Sequence, residues 1–169
     1  MRLYFLRHGS AEDRRVGLRD FDRHLTPEGI AEMKRVAQGL YRLIEEVDVV
    51  ITSPLPRAAE TAGIAETALR VKAGPTIVSE KLAAGAFGLT ELQQLVGDYP
   101  SDYRVLLVGH EPDFSEVVGE LTGANIEMKK AGLALVEVGH VERAAGVLRW
   151  LLTPRHLQAA ANPANQPAV

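Results

Sequence analysis

The amino-acid sequence predicts one α/β domain with three α/β/α layers, built on a mainly parallel sheet with an antiparallel C-terminal strand. Short apolar runs alternate with segments of helical periodicity, an order typical of a parallel sheet covered by helices on both faces. The last two apolar runs are separated by a short turn-like segment, which indicates an antiparallel pair. At 169 residues, 46% of them hydrophobic and 24% charged, the chain fits one globular domain.

Each predicted strand is a short apolar run, and two of the predicted helices begin at a capping signal. Thr26-Pro27 combines a hydroxyl N-cap with proline at the first helical position. Thr90 is placed to cap a short helix. In chain order, we expect strand 2–6, polar loop 9–25, a helix from 27 to about 46, strand 47–51, helix 57–70, strand 76–78, helix 90–96, strand 103–108, helix 113–121, and strands 133–138 and 146–152.

The domain is expected to cover residues 1–155, since no linker or internal repeat divides the chain. Residues 156–169 end in AAANPANQPAV, a stretch whose only large apolar residue is the terminal valine. Such a segment buries too little apolar surface to order itself. We therefore expect a disordered tail over 156–169.

The composition excludes several classes of function. A formal net charge of -3 argues against a nucleic-acid-binding protein, which usually has a basic excess. No apolar run approaches the ~20 residues of a membrane span, and residues 1–6 are too few for a signal peptide. The absence of cysteine removes disulfides, thiolate metal sites and cysteine nucleophiles. We expect a cytoplasmic protein without nucleic-acid or membrane partners.

Chemically reactive side chains follow four of the predicted strands. In open α/β sheets, ligands bind at the carboxyl ends of the strands, so residues that follow different strands meet at one edge. The set contains two arginines, two histidines and a glutamate: Arg7, Arg57, His8, His110 and Glu80. This coincidence of place predicts a functional site at that edge.

These residue types suit phosphoryl transfer without a metal ion. Arginine keeps its charge and offers a fork of donors that matches phosphate oxygens. Gly9 would allow close backbone approach, and Arg57 lies near a helix start, where free amides favour anions. His8 could attack phosphorus and carry the phosphoryl group transiently. A protonated His110 would stabilise charge on the equatorial oxygens during in-line transfer.

Three sequence blocks at these strand ends resemble a known family. They are LRHG (6–9), TSPLPRAAETA (52–62) and VGHEPDFS (108–115). In this order they resemble the motif blocks of the histidine phosphatase superfamily, which has the phosphoglycerate mutase-like fold. The short length and the GHEPDFS block are similar to the SixA-type phosphohistidine phosphatase branch. The resemblance spans residues 1 to about 152.

The resemblance implies roles for the matching residues. His8 matches the family's phosphorylated nucleophile, and Arg7, Arg57 and His110 match the rest of its phosphate pocket. It implies that no metal ion or cofactor is needed. Glu80 lies near the point where larger members place a general acid, although SEKLAAG matches their pattern only loosely.

The polar loop over 9–25 carries a further candidate. Family members often keep an arginine just before the LT of their helix start, which makes Arg23 a candidate substrate-binding residue. With the arginines at 14, 15 and 19 it forms either a solvated loop or a docking surface for a phosphorylated partner. Asp20-Phe21-Asp22 imitates the DxD motif of aspartate-based phosphatases, but no apolar strand leads into it.

The predicted substrate is phosphohistidine displayed on another protein. The chain lacks room for the lid that longer members insert, so we expect a shallow, open site. An imidazole, whose conjugate acid has a pKa near 6.5, leaves with far less help than an alkoxide, whose parent acid has a pKa of ~16. The alternatives are a phosphomonoesterase or mutase acting on a small phosphate ester, and a non-catalytic phosphate-binding module.

Overall fold

The structure is a computed structural model that describes residues 1–162. It contains eight strands in that part of the chain. In chain order they are β1 (Arg2–Arg7), β2 (Glu46–Val47), β3 (Val49–Thr52), β4 (Arg70–Val71), β5 (Ile77–Val78), β6 (Arg104–Gly109), β7 (Leu133–Val138) and β8 (Gly146–Leu152).

Six of these strands form the central sheet, in the order β5-β3-β6-β1-β7-β8. Neighbours among β5, β3, β6 and β1 run parallel, whereas β7 pairs antiparallel with both β1 and β8. The predicted mainly parallel sheet with an antiparallel C-terminal strand is confirmed. Because β1 and β6 lie inside the sheet, their central residues are buried on both faces, as their continuous apolar sequences predict.

Within residues 1–162, five α-helices cover the two faces of this sheet. They are α1 (Pro27–Ile44), α2 (Pro56–Ala68), α3 (Leu89–Val96), α4 (Asp113–Thr122) and α5 (Pro154–Ala161). The Thr26 hydroxyl accepts a hydrogen bond from the Gly29 N–H at 3.0 Å, so the predicted cap starts α1. None of the helices within residues 1–162 has the length and apolar character of a membrane span.

Two apolar cores separate the three layers. One packs α3 and α4 against the sheet through Leu92 and Phe114, and the other packs α1, α2 and α5 against the opposite face. A glycine in α1 permits the close approach of α5 to α1. A Cβ at Gly39 of α1 would lie 1.9 Å from the carbonyl oxygen of Leu157, so only glycine lets α5 come this close.

The predicted disordered tail is wrong for residues 156–161. These residues belong to α5, which starts at Thr153-Pro154 with the same residue pair that starts α1. Leu157 of α5 is fully buried against α1, and this single large apolar residue anchors the helix. The rest of the predicted tail, 163–169, lies outside the described residues.

The predicted strand 47–51 is also divided. Its first residue, Val47, belongs to β2, which pairs with β4 in a separate two-stranded sheet that the sequence did not indicate. Asp48 separates β2 from β3, because its carboxylate accepts a hydrogen bond from the Arg104 N–H at 2.7 Å while its own N–H donates to the Arg104 carbonyl. The side chain thereby replaces one step of regular strand pairing.

Candidate active site

The candidate site lies at the carboxyl ends of three adjacent strands, β3, β6 and β1. Arg7 at the end of β1 is paired with Gly109 at the end of β6. The His8 N–H then donates to the Gly109 carbonyl at 3.0 Å, and the Ser53 N–H donates to the Val108 carbonyl at 3.0 Å. This register places His8, Ser53 and His110 at one level of the sheet edge.

The structure brings three of the predicted residues into direct proximity. The ring centroids of His8 and His110 are 5.2 Å apart, and the Nε of Arg57 lies 3.3 Å from the Nε2 of His8. All three side chains are buried, with His110 only 2% exposed and Arg57 only 3% exposed. A polar group buried to this degree is normally retained for its contacts or its chemistry.

The hydrogen bonds of His8 define its tautomer. Its Nδ1 lies 2.7 Å from the Gly9 carbonyl oxygen, which can only accept, so Nδ1 carries the proton. Its Nε2 faces the Nε–H of Arg57, which can only donate, so Nε2 carries the free electron pair. Both contacts agree on one neutral form, and Nε2 is the nitrogen available for attack.

The environment keeps both histidines neutral. Burial lowers the pKa of His8 to about 4, with the charges of Arg57 and Arg7 acting in the same direction and the hydrogen bond to Gly9 opposing them. Burial likewise lowers the pKa of His110 to about 3. His8 is therefore uncharged at neutral pH, with its Nε2 unprotonated.

His110 is held by a serine that the sequence analysis did not single out. The hydroxyl of Ser53, buried after β3, lies 2.8 Å from the Nε2 of His110 and accepts from the Leu55 N–H at 3.2 Å. A hydroxyl that already accepts can still donate its own hydrogen to Nε2, which leaves the proton of His110 on Nδ1. This Nδ1 is buried and has no partner within residues 1–162.

The guanidinium of Arg7 has one nitrogen that is hydrogen-bonded to the backbone and one buried nitrogen without a hydrogen-bond partner within residues 1–162. Its Nη1 donates to the Met128 carbonyl at 2.6 Å. Its buried Nε has no partner among the described residues, a property it shares with the Nδ1 of His110. Burial lowers the pKa of Arg7, while the nearby Glu111 carboxylate opposes that shift.

Arg57 occupies the first turn of α2, as predicted, and its contacts are dominated by Asp20. Nη1 donates to the Asp20 carbonyl oxygen at 2.7 Å, and Nη2 donates to the Asp20 carboxylate at 2.9 Å. Asp20 lies in a 3-10 helix, Asp20–Asp22, within the loop after β1. Sequence reasoning considered this residue only as part of a DxD motif, and its proximity to Arg57 becomes visible only in the folded chain.

Gly9 makes packing and hydrogen-bond contacts that the sequence did not indicate. A Cβ at Gly9 would lie 2.7 Å from the Cγ of Met33, so the absence of a side chain serves packing against α1. Its N–H donates to the Thr61 hydroxyl at 3.1 Å, and that hydroxyl donates to the Arg57 carbonyl at 2.7 Å. The Gly9 amide is thus already bonded, and its carbonyl orients His8. The predicted close approach of Gly9 to a phosphoryl group stays a prediction.

The other two predicted residues lie outside this group. Arg23 has a side chain 12% exposed and donates to Asp20 at 2.8 Å and to the Glu12 carbonyl, so it holds the loop. Glu80 lies in the 3-10 helix Glu80–Leu82 after β5, and its exposed side chain makes no hydrogen bond or ion pair within residues 1–162. The roles predicted for Arg23 in substrate binding and for Glu80 in proton transfer stay predictions.

The loop arginines do not form an uncompensated basic surface. Arg14 pairs with Asp20, Arg15 with Glu12, and Arg19 with Asp22. Beside this loop lies an open groove of about 770 Å³, lined among others by Phe21, Phe87 and Glu111. Phe21, which lines this groove, is 59% exposed and leaves apolar surface there.

The comparison with protein families agrees with the site. The family model described as histidine phosphatase superfamily, branch 1, matches residues 3–120. The chain therefore belongs to the histidine phosphatase superfamily, whose members are phosphatases. The resemblance predicted from the three sequence blocks is confirmed.

Two curated relatives extend this finding. An uncharacterized protein from Picosynechococcus sp. is 36% identical over 137 residues, which cover 79% of this chain and 82% of that protein. Phosphohistidine phosphatase SixA from Escherichia coli is 26% identical over 162 residues, which cover 95% of this chain and 98% of SixA. The similarity to the SixA type thus extends over nearly the whole chain.

Solved structures share the fold. The protein histidine phosphatase SixA complexed with tungstate matches with a TM-score of 0.80 at 24% identity, covering 93% of this chain and 99% of that one. Phosphoserine phosphatase from Entamoeba histolytica in complex with 3-phosphoglyceric acid matches with a TM-score of 0.63 at 17% identity, covering 92% and 98%. The predicted phosphoglycerate mutase-like fold is confirmed.

Proposed function

We propose that this protein hydrolyses phosphohistidine on another protein, without a metal ion, through a phospho-His8 intermediate. The observation that carries the proposal is the state of His8. Its Nδ1–H is held by the Gly9 carbonyl, and its unprotonated Nε2 lies 3.3 Å from the Nε of Arg57. An oriented, neutral imidazole beside a fixed guanidinium suits attack on a phosphoryl group.

In the first step, the electron pair of His8 Nε2 gives up its hydrogen bond from the Arg57 Nε–H and attacks phosphorus in line with the leaving nitrogen. The new bond joins phosphorus to Nε2, and the bond that breaks leaves its electron pair on the substrate imidazole. A substrate ring that is protonated at its other nitrogen leaves as neutral imidazole. His8 keeps its Nδ1–H and becomes a phosphorylated imidazolium, so no base is needed to activate it.

In the second step, water attacks the phosphorus of phospho-His8. The bond to Nε2 breaks, its electrons return to the ring, and His8 regains its neutral form. The attacking water loses a proton as inorganic phosphate forms. We propose Glu80 as the group that assists this proton transfer, and we expect Glu80→Gln to slow the second step alone.

The phosphoryl group would be held by Arg7, Arg57 and His110. The unpartnered Nε of Arg7 and Nδ1 of His110 support this assignment, since a phosphoryl oxygen would satisfy both buried nitrogens. The negative charge of a bound phosphoryl group raises the pKa of a neighbouring imidazole. His110 would therefore gain protonation when the substrate binds, at the moment when its charge is useful.

The choice of phosphohistidine as substrate rests on two further observations. The groove lined by Asp20, the residue that binds Arg57, is open rather than enclosed, whereas sites for compact metabolites usually surround their ligand. The curated relative matched over 95% of the chain is a phosphohistidine phosphatase. A small phosphate ester is the second candidate, because a phosphoserine phosphatase has the same fold.

The deciding experiment compares kcat/KM on a phosphohistidine-bearing protein with kcat/KM on alkyl phosphates. We expect a preference for phosphohistidine, and faster hydrolysis of an alkyl phosphate would contradict it. We expect His8→Ala to abolish turnover of both. Acid-labile phosphate trapped on His8 would exclude a non-catalytic phosphate-binding module, and a fully active His8→Ala variant would exclude the mechanism.

A further inference from the structure

Asp20 is the one carboxylate in contact with the arginine beside the nucleophile among the described residues. It binds Arg57 twice, with its backbone carbonyl on Nη1 at 2.7 Å and its side chain on Nη2 at 2.9 Å. The two acceptors come from one residue and engage both terminal nitrogens. This contact fixes the plane of the guanidinium as well as its position.

The contact also determines which N–H groups of Arg57 face the nucleophile. A guanidinium has five N–H donors, and Asp20 takes one from each terminal nitrogen. The Nε–H is directed at the Nε2 of His8, at 3.3 Å. Three donors are thus assigned, and the two that remain belong to the terminal nitrogens. A phosphoryl group on His8 would meet the Nε–H side of a guanidinium that is already oriented.

Asp20 is itself held in place by two further arginines. Arg23 donates to its Oδ1 at 2.8 Å and Arg14 donates to the same atom at 3.2 Å. Partial burial alone would raise the pKa of Asp20, but the hydrogen bonds from Arg23 and Arg57 outweigh burial and lower the pKa to about 2. The carboxylate therefore stays ionised and cannot donate a proton near neutral pH.

We propose that Asp20 is a positioning residue, which orients Arg57 so that its Nε–H side meets the phosphoryl group on His8. The proposal rests on the proposed function, because it assigns Arg57 to phosphoryl binding. The opposite role would be a carboxylate that occupies the phosphate position and leaves when substrate arrives. The backbone contact favours positioning, since the Asp20 carbonyl cannot leave Arg57 unless the loop held by Arg23 also moves.

The test compares Asp20→Asn with a matched control, Asp22→Asn. Both residues lie in the same 3-10 helix, but Asp22 pairs with the exposed Arg19. Because small misplacements of a catalytic group reduce rates steeply, we expect Asp20→Asn to lower kcat/KM by roughly 10- to 100-fold. We expect weaker inhibition by inorganic phosphate in the same variant. Asp22→Asn should match the wild-type protein in both measurements, and both variants should unfold at the wild-type temperature.

A double-mutant cycle separates action through Arg57 from a general effect on the loop. If Asp20 acts through Arg57, then Asp20→Asn has no further effect on kcat/KM once Arg57→Ala is present. Additive losses would overturn the proposal, and so would tighter phosphate inhibition or faster turnover in Asp20→Asn. The cycle still tests the proposal if Asp20→Asn unfolds at a lower temperature. The loop change is then present both with Arg57 and with Arg57→Ala, so its general effect on kcat/KM is the same in the two comparisons.

Failure of the proposed function gives a different result. If Arg57→Ala and His8→Ala keep wild-type activity, the site assignment itself is wrong. If those two variants are inactive while Asp20→Asn is unchanged, the site assignment stands and the positioning role of Asp20 is refuted. NMR adds a direct readout, because the Arg57 Nε–H resonance should shift in Asp20→Asn and stay in place in Asp22→Asn.

Discussion

Acidification should lower the stability of this protein at pH values where His8 of the folded protein is still neutral. Burial lowers the pKa of His8 to about 4, against 6.5 for an exposed histidine. Between these two values the unfolded chain binds a proton at this residue and the folded protein does not. The free energy of unfolding therefore rises with pH across the window, so stability is lost as the pH falls from about 6.5 towards 4.

The expected magnitude follows from the two pKa values. At pH 7 both states of His8 are mostly neutral, and at pH 5 only the folded state is. The difference lowers the free energy of unfolding by about 2 kcal/mol between pH 7 and pH 5. At pH 5 about nine-tenths of His8 in the folded protein is still neutral, so its Nε2 stays unprotonated.

Two measurements check this prediction. Denaturant unfolding of the wild-type protein and of His8→Asn at both pH values isolates the His8 contribution, because the other titrating groups are common to both chains. NMR titration of ¹³C-labelled histidines gives the pKa values directly, and His8→Asn assigns the signal. His24, which pairs with Glu60, serves as the internal contrast, because hydrogen bonding to that carboxylate raises its pKa. A His8 signal that titrates near 6.5, or equal acid losses in both proteins, would refute the reasoning.

Two further predictions concern the support of the site and the last helix. Ser53→Ala removes the hydroxyl that faces His110 Nε2, and we expect kcat/KM to fall roughly tenfold in steady-state kinetics. The pKa of His8, measured by NMR, should change little. An unchanged rate would mean that Ser53 does not set the tautomer of His110. Leu157→Ala should lower the free energy of unfolding by roughly 2–5 kcal/mol in denaturant titration, because Leu157 is fully buried. Leu151→Ala, at a site 40% exposed, is its control; equal losses would show that α5 is not anchored by Leu157.

The sequence predicted the sheet and the three clustered residues for the same physical reason. Parallel strands buried on both faces read as continuous apolar runs, and their carboxyl ends must meet at one edge. His8, Arg57 and His110 follow β1, β3 and β6, which turned out to be neighbours in the sheet. Their proximity could be inferred without knowing any loop conformation.

The missed features depend on contacts between segments that have no periodic pattern. Asp20 reaches Arg57 across 37 residues from a polar loop, and nothing in the order of its neighbours reveals that contact. The helix at 154–161 has a single fully buried anchor, Leu157, in an otherwise alanine-rich and polar stretch. The composition of this stretch predicts disorder, but the burial of Leu157 against α1 stabilises the helix. Gly39 of α1 leaves room for this contact because it has no side chain.

The low pKa values of His8 and His110 and the arrangement of the arginines together favour a neutral His8 next to fixed positive charges. Burial and the charges of Arg57 and Arg7 disfavour the protonated form of His8, so its Nε2 stays unprotonated at neutral pH. Within residues 1–162 the buried Nε of Arg7 has no partner, and the proposed phosphoryl group would supply one. In the proposed mechanism, transfer of that group would make His8 an imidazolium and would also bring the negative phosphoryl oxygens against Arg7 and Arg57. Replacing Arg57 by alanine should therefore raise the pKa of free His8 while destabilising phospho-His8, a pair of opposite effects that loss of packing alone would not produce.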